Sequence, residues 1–297
     1  MNLSMAVEIS YLFSSVLFVI GLKRLQSPAT ARGGNQLAAL AMLIAIVATL
    51  LNNQIVDWTT ILIGMTVGTI LGGTAARMVQ MTEMPELVGI FNGFGGAASA
   101  LVAAAELLRL ESLGITSPLG EGVSIVLSCL IGTVTFSGSF VAFGKLKGIV
   151  SGNPITFPLQ KTLNAGLFLG LLVLGGGIMG LFQIGALITI TTFYIFTAVA
   201  LALGILLVIP IGGADMPVVI SLLNSYSGLA ASAAGFVIGS NVLIISGALV
   251  GASGLILTLI MCKAMNRTLT AVLFLSLIHI SEPTRRTPIS YAVFCLK

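Results

Sequence analysis

The sequence has little charge. Asp, Glu, Lys and Arg together make up 7% of its 297 residues, against about 25% in a soluble domain. With 57% hydrophobic residues and a mean hydropathy of +1.13, this excludes a soluble globular protein. Histidine is represented once, by His279 in the C-terminal tail, so the apolar runs contain no imidazole to titrate near neutral pH. Cysteine is scarce: Cys129 and Cys262 lie in apolar runs and Cys295 in the tail, a spacing that fits neither a disulfide framework nor a metal site. Short segments of alternating polarity are also missing, which excludes a membrane β-barrel. The net charge of +4 points to no nucleic acid, because the basic residues cluster in loops, as orientation signals do.

Long apolar runs are abundant. About nine reach the ~20 residues needed to cross a bilayer: 6–22, 36–51, 58–76, 86–107, 122–143, 162–182, 185–209, 216–238 and 241–262. The first begins too close to the terminus to show a basic n-region, no clear cleavage site follows, and it reads as a retained helix. The expected fold is an all-α, polytopic transmembrane helix bundle with a parallel internal repeat. Residues 1–268 form the membrane domain, and 269–297 form the start of a linker and an atypical tail. Lys23, Arg24, Arg32, Arg77, Lys145, Lys147, Lys161, Lys263 and Arg267 fall on one side of this topology. The opposite loops offer Arg109 beside Glu106, Glu111 and Glu121. The positive-inside rule then puts the N-terminus outside and the end of the last span in the cytoplasm.

One pattern occurs twice. Asp215-Met216-Pro217 opens an apolar helix that carries Asn224, and Glu83-Met84-Pro85-Glu86 opens one that carries Asn92. The acids are 215 − 83 = 132 residues apart and the asparagines 224 − 92 = 132. Each acid is a candidate N-cap ahead of a proline that fits the first turn. Each amide lies nine residues on, roughly 13 Å into the helix, where an apolar bilayer makes a polar side chain costly. Two such helices read as the halves of one site, as repeats in membrane transport proteins often do. Both run in the same direction under the predicted topology.

The fifth run interleaves Ser128, Thr133, Thr135, Ser137 and Ser139 with apolar residues. Such hydroxyls commonly bond their own helix backbone; alternatively they line a polar path beside Asn92 and Asn224. Gly175-Gly176-Gly177, Gly180, Gly247, Gly251 and Gly254 mark close helix packing. Gly93-Phe94-Gly95-Gly96-Ala97-Ala98 fits G-x-G-x-x-A but sits inside an apolar helix, whereas a dinucleotide fingerprint needs a preceding strand.

Several stretches go further. Met81-Thr82-Glu83-Met84-Pro85-Glu86-Leu87-Val88, Val141-Ala142-Phe143-Gly144-Lys145-Leu146, Ile211-Gly212-Gly213-Ala214-Asp215-Met216-Pro217-Val218-Val219, Asn224-Ser225-Tyr226-Ser227-Gly228 and Met261-Cys262-Lys263-Ala264-Met265-Asn266-Arg267 closely resemble the beta subunit of proton-translocating NAD(P) transhydrogenase. The resemblance covers roughly residues 1–274. It implies coupling of proton movement to hydride transfer between NAD(H) and NADP(H) in a bacterial inner membrane. It also implies an alpha-subunit partner, a dimer of alpha–beta units and a cytoplasmic NADP-binding domain after the helices. By position, Asp215 and Asn224 match polar residues implicated in the proton path or its coupling to the nucleotide domain; Asn92, Ser139 and, at the inner face, Glu83 and Glu86 are expected beside them. Lys263 and Arg267 are expected in the hinge to the nucleotide domain.

Two departures stand out. Some members of that family carry His where this chain has Asn92, and Asn cannot titrate. The titrating group is then expected from a partner-subunit helix packed against it. From about Leu275 the sequence departs from both the family's linker and a nucleotide fold, and it reads as adapter or vector read-through in a truncated gene. This fragment alone is therefore expected to bind neither NADP nor NAD and to transfer no hydride. Two other readings remain at this stage: a stand-alone secondary transporter of an ion or small solute, and an assembly scaffold without conduction.

Overall fold

The computed structural model describes residues 3–51, 58–115, 118–180 and 186–274. Among these, nine helices are long and apolar enough to cross a membrane. They are α1 (Leu3–Leu25), α2 (Pro28–Leu50), α3 (Trp58–Met78), α4 (Met84–Ser112), α5 (Leu119–Leu146), α6 (Gln160–Ile178), α7 (Ala186–Val208), α8 (Met216–Val237) and α9 (Asn241–Ala264), followed by a short α10 (Leu269–Phe274). The predicted tail from about Leu275 lies outside the described residues, and so do residues 181–182, where the sixth run was expected to end. Helix α2 starts eight residues earlier than the hydropathy suggests, because Pro28 is accommodated in its first turn after Ser27.

The centre of the bundle is α5, flanked by α4, α8 and α7. An apolar cluster around Ile125, Cys129, Leu171 and Phe196 fills one half. A second, around Ala142, Val208, Met216, Val219 and Val272, fills the other. Backbone approach at glycines sets the spacing. A Cβ at Gly96 would lie 2.6 Å from Gly132 O, drawing α4 onto α5. A Cβ at Gly228 would lie 2.8 Å from Gly247 O, drawing α8 onto α9. These are the small-residue contacts that bring helices together where lipid supplies no hydrophobic drive. Hydroxyls reinforce the α8–α9 seam: Ser225 Oγ donates to Gly251 O at 2.5 Å, and Thr258 Oγ1 donates to Ser221 Oγ at 3.1 Å. Gly180, at φ +72, ends α6 in the left-handed conformation that glycine adopts without strain. No residue of α3 is buried.

Helices α4 and α8 run in the same direction, as their contacts order them. A Cβ at Gly89 would touch Ile220, Asn92 O accepts from Ser227, and Ser128 of α5 bonds both Ser99 O and Ala230 O. The order 89, 92, 99 on α4 therefore matches 220, 227, 230 on α8. Their starts, Met84 and Met216, lie at the same end of the bundle.

Candidate functional site: a buried polar seam and an ion-paired corner

Midway along the bundle, α4, α5 and α8 meet at polar atoms. Asn92 is 7% exposed. Its Nδ2 donates to Ser139 Oγ at 2.9 Å, and its backbone oxygen accepts from Ser227 Oγ at 3.3 Å. Its Oδ1 is buried and has no partner, as is Thr135 Oγ1 one turn along α5 from Ser139. Buried polar atoms normally find a bond, and these two face the same α4–α5 seam. Asn224 is half-buried on α8, three residues before Ser227. The two amides therefore sit at one level on neighbouring, co-directional helices, without a bond between them.

The hydroxyls of α5 divide between the two expected behaviours. Ser137 bonds Thr133 O of its own helix. Ser128 reaches backbone oxygens of α4 and α8, Ser139 receives Asn92, and Thr133 faces Cys129 at 3.8 Å.

At the Met84/Met216 end lies Asp215, 3% exposed. It occupies the N-cap position of α8, but its side chain makes no cap bond there. The capping expectation fails because residues Gly213–Asp215 form a 3₁₀ turn, which carries the chain helically into α8 and turns the carboxylate elsewhere. Asp215 Oδ2 accepts from Arg267 Nη1 at 2.5 Å, and Oδ1 is buried and unpaired. Arg267, half-buried, lies just past α9 with its N–H on Cys262 O at 2.9 Å. The corner thus joins the start of α8 to the end of α9, and Val272 of α10 packs into the apolar cluster behind it.

Glu83 does not cap α4 either. It is exposed, and its Oε2 accepts from Gln80 N at 3.4 Å to close a separate 3₁₀ turn, Met81–Glu83. Glu86 is half-buried in the first turn of α4, and Lys263 is exposed. Neither makes a hydrogen bond or ion pair among the described residues. The residue that sequence reasoning misplaced is Lys145. It was counted as a loop charge, yet it is 4% exposed, with Nζ on the oxygens of Ile209, Ile211 and Asn153 at 2.6, 2.7 and 3.3 Å. Its apolar context in Val141-Ala142-Phe143-Gly144-Lys145-Leu146 was the available signal.

The G-x-G-x-x-A run is helix throughout; Gly93 and Gly96 face protein, whereas Gly95 is exposed. A Cβ at Gly93 would lie 3.1 Å from the Phe140 ring, and Gly96 meets Gly132. Together with the lack of strands among the described residues, this does not fit a nucleotide cradle. No group of His, Cys, Asp and Glu able to hold a metal occurs among the described residues.

Among the described residues, then, the chain is a polytopic membrane helix bundle with a buried amide–hydroxyl seam and an ion-paired corner at one end. Comparison with known proteins makes this specific. Residues 7–290 match the family described as NAD(P) transhydrogenase beta subunit. Two Rhodospirillum rubrum proteins named NAD(P) transhydrogenase subunit beta are each 45% identical over 268 residues, covering 89% of this chain and 56% of the relative. The chain belongs to the NAD(P) transhydrogenase beta subunit family. It spans about half the length of the curated relatives it matches. Membership does not favour the stand-alone transporter reading.

Proposed function

We propose that this chain is the proton-conducting membrane portion of a transhydrogenase beta subunit, working with an alpha subunit and a C-terminal NADP-binding domain to couple proton movement to hydride transfer between NAD(H) and NADP(H). The observation that carries this reading is the seam at Asn92. One amide oxygen and one hydroxyl, Thr135, are desolvated without partners, next to an Asn92–Ser139 bond at the junction of three helices. A water admitted there finds acceptors and donors within one site, as buried water requires. Asn92 and Ser139 orient that water, and neither carries the proton, since an amide and a hydroxyl do not titrate near neutrality. The group that does is proposed to come from a partner-subunit helix.

The Asp215–Arg267 pair is the proposed coupling element, with Asn224 beside the seam on the same helix as Asp215 and Glu83 and Glu86 at the same, cytoplasmic mouth. A nucleotide domain tethered beyond Lys263 and Arg267 pulls on α9. Because α9 is locked to α8 through glycines and serines, the strain reaches the level of Asn92. Coupling of this kind requires only that the docked domain bind two arrangements of the corner with different affinity. The chain's own residues hold and hydrate the proton path and bear the hinge; the nicotinamide cofactors, bound elsewhere in the complex, supply the hydride chemistry.

Co-expression with an alpha subunit and a full-length C-terminal domain tests this. Uncoupler-sensitive hydride transfer is expected. Asp215→Asn is expected to assemble normally and to lose the uncoupler effect. A loss of assembly alone would support a scaffold, and proton-driven solute uptake by the chain in liposomes would support a transporter.

A further inference from the structure

Lys145 is a buried ammonium with no carboxylate opposite it. The other described lysines, Lys23, Lys147, Lys161 and Lys263, are exposed. Lys145 forms no ion pair among the described residues, and its three N–H donors meet three backbone oxygens. Two of these, the oxygens of Ile209 and Ile211, follow the C-terminal end of α7, where the chain leaves the helix around Pro210. Pro210 has no N–H, so Leu206 O lacks its helical donor; Gln160 Nε2 and Asn164 Nδ2 of α6 meet it at 3.2 and 3.4 Å. Beyond it, Gly213 N turns to Gly152 O and Asp215 N to Gly212 O, so neither reaches the oxygens of Ile209 and Ile211, which receive Lys145. The negative end of the α7 dipole thereby receives a cation from α5.

The consequence lies two elements away. Ile211 leads directly through Gly212, Gly213 and Ala214 to Asp215. A second strap holds the same turn: Gly213 N donates to Gly152 O at 2.7 Å, and Ile155 N donates to Ile209 O at 3.3 Å. Lys145 also sits on the helix that carries Ser139, six residues earlier, and Ser139 accepts from Asn92. One rigid helix therefore touches the polar seam with one residue and grips the corner with another.

We propose that Lys145 is a positioning residue for Asp215: it fixes the α7–α8 turn to α5, so that a displacement of α5 at the seam is transmitted to the Asp215–Arg267 pair, and the reverse. This rests on the transhydrogenase reading above and adds a residue to it. Neither the seam nor the ion pair includes Lys145, and its bonds run only to backbone.

The test uses the assembled complex with its alpha subunit and full C-terminal domain. Protons moved per hydride transferred are measured in sealed vesicles, and hydride transfer with an uncoupler present gives the basal rate. Lys145→Met removes all three bonds and is expected to lower protons per hydride by at least about tenfold, the factor for a single charge-assisted bond. The basal rate should stay within about twofold, since no bond to the nucleotide domains is removed. Lys145→Arg, which keeps cation and donors, is expected to regain most of the coupling.

A wild-type ratio in Lys145→Met, or less assembled complex at an unchanged ratio, overturns the proposal. If Lys145→Met does not assemble, Lys145→Gln takes its place under the same criteria. Maleimide labelling of a buried Ile211→Cys thiol reads the positioning without pumping: a rise of about tenfold beside Lys145→Met supports it, and no rise overturns it. A wild-type complex that moves no protons would instead sink the functional reading, leaving the labelling result to stand on its own.

Discussion

Replacing Arg267 by methionine gives the sharpest test of the corner. The change keeps an unbranched side chain over the apolar cluster and removes the guanidinium. Asp215 is then left 3% exposed with both carboxylate oxygens unpaired, since Oδ1 already lacks a partner. Breaking a buried pair in this way costs about 3–5 kcal/mol. The Arg267 side chain is 23% exposed, so the lower end, about 3 kcal/mol, applies, which is roughly a 150-fold shift toward an open corner. Cys262 is a built-in reporter: it is 3% exposed, and its backbone oxygen is held by Arg267 N–H. With Cys295 replaced by serine, the labelling rate of Cys262 by a maleimide in native membranes should rise about 100-fold in Arg267→Met. Asp215→Asn combined with Arg267→Met removes both charges and should recover most of the protection, giving a non-additive cycle. Labelling within about threefold of wild type for Arg267→Met, or strict additivity in the cycle, would refute the claim that this pair holds the corner.

Other outcomes follow from the same geometry. Gly228→Ala places a methyl group 2.8 Å from Gly247 O and should destabilise the α8–α9 seam by about 1–3 kcal/mol, read as a lower midpoint in detergent unfolding. Thr135→Val removes a buried hydroxyl that has no partner and should leave stability unchanged or raise it by about 1 kcal/mol, while lowering proton movement if the seam holds water. Ser128→Ala deletes bonds to two helix oxygens that each helix already satisfies, and should cost only about 0.6–1 kcal/mol in the same unfolding assay.

The existence of the nine spans was legible because lipid demands unbroken apolar runs of a fixed length. Which faces touch was not. Helix α7 is apolar all round, and in a bilayer a lipid-facing leucine and a buried one look alike in sequence. The seam was partly legible: an amide nine residues into an apolar helix is costly enough to stand out, and so Asn92 and Asn224 did. Its closing partner, Ser139, was one hydroxyl among six on α5, and nothing in the spacing separated it from Ser137, which bonds its own helix. The corner was misread at Asp215. The acid-Met-Pro pattern signals a cap, but a 3₁₀ turn ahead of α8 frees the carboxylate for an arginine 52 residues on. Lys145 was misread because it was grouped with the charges that follow the span, although its apolar neighbours Val141, Ala142, Phe143 and Leu146 place it inside α5.

The central claim is that the buried amide–hydroxyl seam lies in the proton's route. The direct measurement is protons moved per hydride in the assembled complex carrying Asn92→Ala and, separately, Asn92→Asp, each with the hydride-transfer rate under uncoupler as reference. The account predicts that Asn92→Ala lowers the ratio by about tenfold, the loss of one buried bond and its ordered guest, at a preserved uncoupled rate. Ratios equal to wild type in both variants would contradict it.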